Sequence, residues 1–182
     1  MSKPIRLFIS SSPDLVAERE AVGQAVAGLP VAVGWEIKHT PRAGEEPLEA
    51  QAFVEHCDLL LVVLGADFAA PMGLEWQGAV NAGKPVLAYC KQVLHSPAAQ
   101  TVLRQPGVAW TEFRSPQQLK AQVTRGLAQV VLDQGERLGL LVEDVEALLP
   151  LVRPEEQTGR GLAEVDRREG AGRGGVILEG RA

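Results

Sequence analysis

The sequence predicts a three-layer α/β sandwich built on a five-stranded parallel sheet. Strand and helix signals alternate five times before residue 134, the pattern of a doubly wound fold. Two short runs, Leu59–Leu64 and Val86–Tyr89, are apolar without alternation, as expected of strands buried on both faces. A helix between such strands closes a right-handed crossover and leaves the strand-to-helix loops at one sheet edge.

The elements follow in order. Ile5–Ile9 reads as the first strand, ended by Ser10-Ser11-Ser12-Pro13-Asp14. Pro13 fits the first helical position with Ser12 as N-cap, and Asp14 complements the helix dipole. The helix is predicted to about Leu29, burying Leu15, Val22, Ala25, Val26 and Leu29, with Glu18, Arg19 and Glu20 mostly off that stripe. Val31–Lys38 reads as a second strand whose poor alternation and Gly34 suit an edge. A polar loop, His39–Pro47, and a short helix, Leu48–His56, precede the central unit. After Tyr89 come a short helix near Pro97–Arg104, a fifth strand at Gly107–Trp110, and a helix from Ser115-Pro116 to about Gln134. The expected strand order is 2-1-3-4-5, the flavodoxin-like order, with its switch point between strands 1 and 3.

Bulk composition narrows the function classes. A formal charge of −5 gives no electrostatic footprint for nucleic acid or an anionic membrane. No apolar run is long enough to span a bilayer, and the N-terminus has no signal-peptide core, so the expectation is a cytoplasmic protein. Cys57 and Cys90 adjoin buried strands and read as free thiols of a reducing compartment rather than a disulfide. The histidines and cysteines lack metal-ligand spacing, so neither a metal nor a cofactor is predicted. There is no complete Walker A motif (GxxxxGK followed by Ser or Thr) and no GxSxG.

In this strand order, ligand groups come from the carboxyl ends of strands 1 and 3. That places Ser10, Ser11, Ser12, Gly65, Asp67 and Phe68 at one edge, joined by His39 and Arg42 from the loop after strand 2 and by Glu75. The serines have two readings: hydroxyls and amides for a phosphate or ribose, or an N-cap with neighbours that merely end a strand. Glu75, placed on the first turn of the crossover helix, is either a site carboxylate or a residue favoured there by the dipole. Asp58 begins strand 3 at the opposite edge and reads as a structural cap, whereas Asp67 lies on the loop facing Glu75. Glu45 and Glu46 are weaker candidates, and Trp76 reads as core or interface.

The stretches Arg6–Leu15 and Glu18–Val22 (RLFISSSPDL, then EREAV), Asp58–Gly65, and Gly73–Trp76 through Ala82–Leu87 resemble the DUF4062 family over about residues 5 to 90. That family is similar to TIR domains and to nucleoside 2-deoxyribosyltransferases. The resemblance implies a TIR-like flavodoxin-like sheet and a nucleotide ligand, NAD or a nucleoside. In those relatives a glutamate on the equivalent helix serves N-glycosidic bond chemistry, which implies Glu75 as the catalytic residue here. It further implies a signalling or defence module with a partner domain or a homo-oligomer, or alternatively an N-glycosidase or transferase. The chain departs from the family pattern in two places. Ala66-Asp67-Phe68 replaces an aromatic-Gly pair, and Pro71-Met72-Gly73 replaces a Ser or Thr ahead of the glutamate.

Three segments result: a domain at residues 1–134, an additional C-terminal helix at 135–152, and a Gly/Arg/Glu-rich linker or disordered tail at 153–182. The helix candidate Arg137–Val152 has an apolar stripe that either covers the sheet or pairs with a copy of itself. Gly175–Leu178 is a candidate lone strand in the tail.

Overall fold

The computed structural model describes residues 4–41 and 47–153. Arg42, Glu45 and Glu46 therefore lie outside the described residues, as does the expected tail from residue 154 onward, with its candidate strand at Gly175–Leu178. The element order is β1 (Ile5–Ser11), α1 (Val16–Ala27), β2 (Trp35–His39), α2 (Pro47–His56), β3 (Leu59–Leu64), α3 (Ala70–Asn81) and β4 (Val86–Lys91). Then follow α4 (Pro97–Leu103), β5 (Trp110–Phe113), α5 (Pro116–Asp133), α6 (Gly135–Leu138) and α7 (Val142–Val152). All neighbouring strands pair in parallel in the order β2-β1-β3-β4-β5, as predicted.

Strand β3 explains the layering. All six of its residues are buried, and their alternation splits the core. Leu59, Leu61 and Val63 join the cluster containing Val22 of α1, Leu119 and Leu127 of α5, and Leu148 of α7. Leu60 and Val62 join Val54 of α2, and Met72 and Trp76 of α3. Each fully buried Leu or Val contributes roughly 1.5–3 kcal/mol over leaving it exposed, so the strand is held by both helical layers.

Several boundaries differ from the sequence reading, each for a tertiary reason. β1 continues through Ser11 because Ser10 and Ser11 pair with Val62 and Val63. The chain then leaves the sheet by a turn, with the Leu15 amide donating to the Ser12 carbonyl at 3.2 Å. Helix α1 accordingly starts at Val16, and Ser12 is not its N-cap. β2 begins at Trp35, where pairing with Ile5 begins, and Val31 and Val33 pack against the core without joining the ladder. Gly107, at φ 88°, belongs to a turn, so β5 starts at Trp110 opposite Ala88. Helix α3 starts at Ala70, with Pro71 in its first turn, which moves Glu75 into the second turn. The dipole-favoured first-turn reading of Glu75 is therefore incorrect.

Glu18 is a further correction. It is buried rather than off the α1 stripe, and its carboxylate meets the Lys91 ammonium at 2.7 Å. Asp58 is structural, but as an acceptor for the Arg6 amide (2.9 Å) and an ion-pair partner of Arg137 (3.0 Å). The predicted helix Arg137–Val152 is broken at Gly139 (φ 66°), where α6 ends before α7. Leu148 anchors α7 to the α1/α5 layer, while Leu141 and Val142 remain exposed.

Two helical glycines give a contrasting test of packing. A Cβ on Gly126 would fall 2.6 Å from the Tyr89 hydroxyl and 3.2 Å from Leu87, whereas Gly23 has open space. Gly126→Ala should lower stability by about 1–3 kcal/mol through overpacking, and Gly23→Ala should raise it by roughly 0.5–1 kcal/mol through helix propensity. Urea denaturation of both variants checks this; equal effects of the two would contradict the described α5–β4 packing.

Candidate functional site at the carboxyl edge

The site begins with the pleat of β1. Successive side chains face opposite layers, so Phe8 and Ser10 point toward α2 and α3 while Ile9 points toward α1 and α5. Ser10 is fully buried, and its hydroxyl donates to Glu75 Oε2 at 2.6 Å. A second hydroxyl, from Thr40, donates to the same oxygen at 2.9 Å. Thr40 Oγ1 also accepts the Ser11 amide at 3.1 Å, and the Thr40 amide donates to the Ile9 carbonyl at 3.1 Å. Three segments (β1, the end of β2 and α3) therefore converge on one carboxylate oxygen.

The other oxygen is different. Glu75 is only 3% exposed, and its Oε1 is buried without a hydrogen-bond partner among the described residues. A half-satisfied buried carboxylate is costly, which favours its neutral form. Burial accordingly pushes Glu75 from its ordinary value of 4.5 up to about 7, against the opposing pull of the Ser10 and Thr40 hydrogen bonds. Such a group exchanges protons near neutrality, a property concentrated at functional sites.

The remaining predicted residues are distributed unevenly around this centre. Ser11 and Ser12 are buried, and their hydroxyls have no hydrogen-bond partner among the described residues. Gly65 packs closely against this segment: a Cβ there would fall 3.0 Å from Ser12 Oγ and 3.1 Å from the Asp14 carboxylate. Asp67 does not share the Glu75 network. It is exposed and accepts a hydrogen bond from Ser96 at the start of α4, and this bond together with the Phe68 amide holds its carboxyl below the usual range. Phe68 is half-buried against Met72-side core and the Leu64 cluster. His39 is exposed at the end of β2, on the wall of an open cleft of about 830 Å³. Arg19 and Glu20 of α1, Lys38 and Thr40 beside β2, and Glu49 of α2 also line that cleft. Trp76 is core: it stacks on Trp110 with ring centroids 5.7 Å apart and donates to Gln105.

Two interactions are not read from the sequence: the Thr40–Glu75 hydrogen bond and the Glu18–Lys91 ion pair. Thr40 carried a weak signal, a polar β-branched residue directly after a strand and before Pro41, which disfavours helical backbone. The Glu18–Lys91 pair carried none, because it joins α1 to β4 across 73 residues of sequence. Both cysteines are free and buried. Among the described residues there is no group of three or more His, Cys, Asp or Glu able to hold a metal, and no helix long and apolar enough to cross a membrane.

The parallel strand order, with helices on both faces of the sheet, defines a flavodoxin-like α/β domain. The chain belongs to the DUF4062 family, described as a domain of unknown function, whose sequence profile matches residues 6–128. Among solved structures it is similar to the Clostridium botulinum CMP N-glycosidase BcmB, at 15% identity and a TM-score of 0.47, covering 65% of this chain and 96% of that one. It is also similar to the flavodiiron protein from Giardia intestinalis, at 6% identity and a TM-score of 0.43, covering 82% of this chain and 38% of that one. No curated protein matches the sequence.

The raised Glu75 value has a consequence for stability. Between pH 4.5 and about 7 the folded state keeps a proton that the unfolded chain releases, so stability falls as pH rises through this window and levels off above it. The loss attributable to Glu75 is on the order of 2–3 kcal/mol between pH 5 and pH 8. Glu75→Gln keeps the shape and removes the titration. Urea midpoints at the two pH values should therefore converge for Glu75→Gln relative to wild type; identical pH slopes would contradict a buried, titrating Glu75.

Proposed function

We propose that the chain is a nucleotide-binding module whose ligand, NAD or a nucleoside, meets Glu75 at the carboxyl edge of the sheet. The observation that carries this reading is the asymmetry of Glu75, with one oxygen held by Ser10 and Thr40 and the other buried without a partner among the described residues. A ribose hydroxyl or an amide would supply the missing partner, and buried polar groups without one are rare enough to call for a cause. Ser11 and Ser12 are further hydroxyls in want of partners, and His39 lines the adjoining cleft. Asp67 and Phe68, on the loop that runs toward α4, are not among the described residues lining that cleft and stand outside this reading. The resemblance to TIR domains supports a cytoplasmic signalling or defence role, with a partner domain or second copy as the receiver of the signal.

A second reading, an N-glycosidase or transferase, is favoured by the proton affinity of Glu75 near neutrality. Breaking an N-glycosidic bond develops an oxocarbenium-like ribose. A carboxylate beside it stabilises that charge, and the positive charge in turn favours the ionised glutamate. Binding and turnover separate in one experiment. Titrating the protein with NAD and with nucleosides, followed by NMR, should perturb amides at Ser10–Ser12, His39–Thr40 and Glu75. Chromatography of the same mixtures reads release of the free base. Glu75→Gln should weaken binding about tenfold, the size of one lost charge-assisted hydrogen bond, and abolish any base release. Shifts confined to another surface would overturn the module, and turnover retained by Glu75→Gln would remove Glu75 from catalysis.

A further inference from the structure

Glu75 does not itself line the cleft; Thr40 does, and Thr40 alone among the described residues both lines the cleft and hydrogen-bonds the carboxylate. A threonine hydroxyl has one proton to donate. Because Thr40 Oγ1 already accepts the Ser11 amide, its proton is committed to Glu75, and the direction of that bond is set by the β1 backbone. Ser10 donates to the same oxygen, so two donors occupy the lone pairs of Oε2 while Oε1 receives none. A proton taken up by Glu75 therefore resides on Oε1.

We propose that Thr40 is the positioning residue of the site: it pins Oε2 against β1 and so presents Oε1 as the oxygen that exchanges a proton or hydrogen bond with the ligand. This rests on the reading of Glu75 as the ligand-facing carboxylate. The β-branched side chain suits the role, because its restricted χ1 holds the hydroxyl in one place. The Thr40 amide bond to Ile9 ties the same residue to β1 a second time. The chemistry recognised is that of a polar ligand lying in the cleft between α1, β2 and α2. It reaches the carboxylate past the Thr40 side chain.

The test uses the full chain with 13C-labelled glutamate, following the Glu75 carboxyl signal against pH without ligand. Thr40→Val removes the donor while keeping the shape, and should move the Glu75 titration upward by roughly one pH unit, the size of one lost charge-assisted hydrogen bond. Thr40→Ser should restore the wild-type titration to within a few tenths of a pH unit. Should Thr40→Val compromise folding, Thr40→Ala reads the same titration. A second arm measures NAD and nucleoside affinity by calorimetry, where Thr40→Val should lose about tenfold and Thr40→Ser little. An unmoved titration in the Val and Ala variants overturns the proposal. A moved titration with no nucleotide bound by wild type upholds the anchoring by Thr40 and rejects the nucleotide reading instead, so the two failures are distinguishable.

Discussion

The carboxyl edge depends on how β1 is clamped between β2 and β3. Ile9 pairs with His39 on one side and with Leu61 on the other, and Ser10 pairs with Val62. This register carries Ser10 into the α2/α3 layer and sets Thr40 beside it. A slip of one residue would turn Ser10 toward α1 and bring Ile9 against the carboxylate. The hydrophobic effect supplies the force that prevents it, because Leu7, Ile9, Leu61 and Val63 on one face and Phe8, Leu60 and Val62 on the other are all buried. The polar network is thus positioned by apolar packing that lies below it.

That arrangement also accounts for the charge state of Glu75. In the second turn of α3 it receives no first-turn dipole stabilisation, and burial dominates over two hydroxyl donors. On the other face of the sheet, Glu18 is equally buried but meets an ammonium, that of Lys91. The two acids stand within the same fold under opposite conditions. One is charge-paired and ties α1 to β4; the other has hydroxyl partners on a single oxygen and none on the second among the described residues. This contrast separates a structural carboxylate from a candidate functional one.

Much of the fold was legible because its signals are local. The uninterrupted run Leu59–Leu64 is the observed β3 to the residue, and Ser115-Pro116 opens α5 with the serine hydroxyl accepting the Gln118 amide, as the motif implies. Boundaries that depend on a partner strand were less legible: β1 runs on through two serines because β3 pairs with them, and β5 waits for β4. Site residues follow the same division. Topology and motif together place Glu75 and Ser10 at one sheet edge, where they are hydrogen-bonded. Thr40 was not legible, since its role arises from two hydrogen bonds to segments 29 and 35 residues distant. Asp67 was expected to face Glu75 but bonds to Ser96, because the loop after β3 runs toward α4.

The proposed ligand partner of Glu75 Oε1 lies in the cleft beside Thr40. Crystallography of the chain grown with NAD or a nucleoside tests it most directly. Density is expected in the cleft beside Thr40, with a ribose hydroxyl or an amide within hydrogen-bond distance of Oε1 and with Oε2 still held by Ser10. Ligand density elsewhere, with Glu75 buried and unchanged, would contradict it.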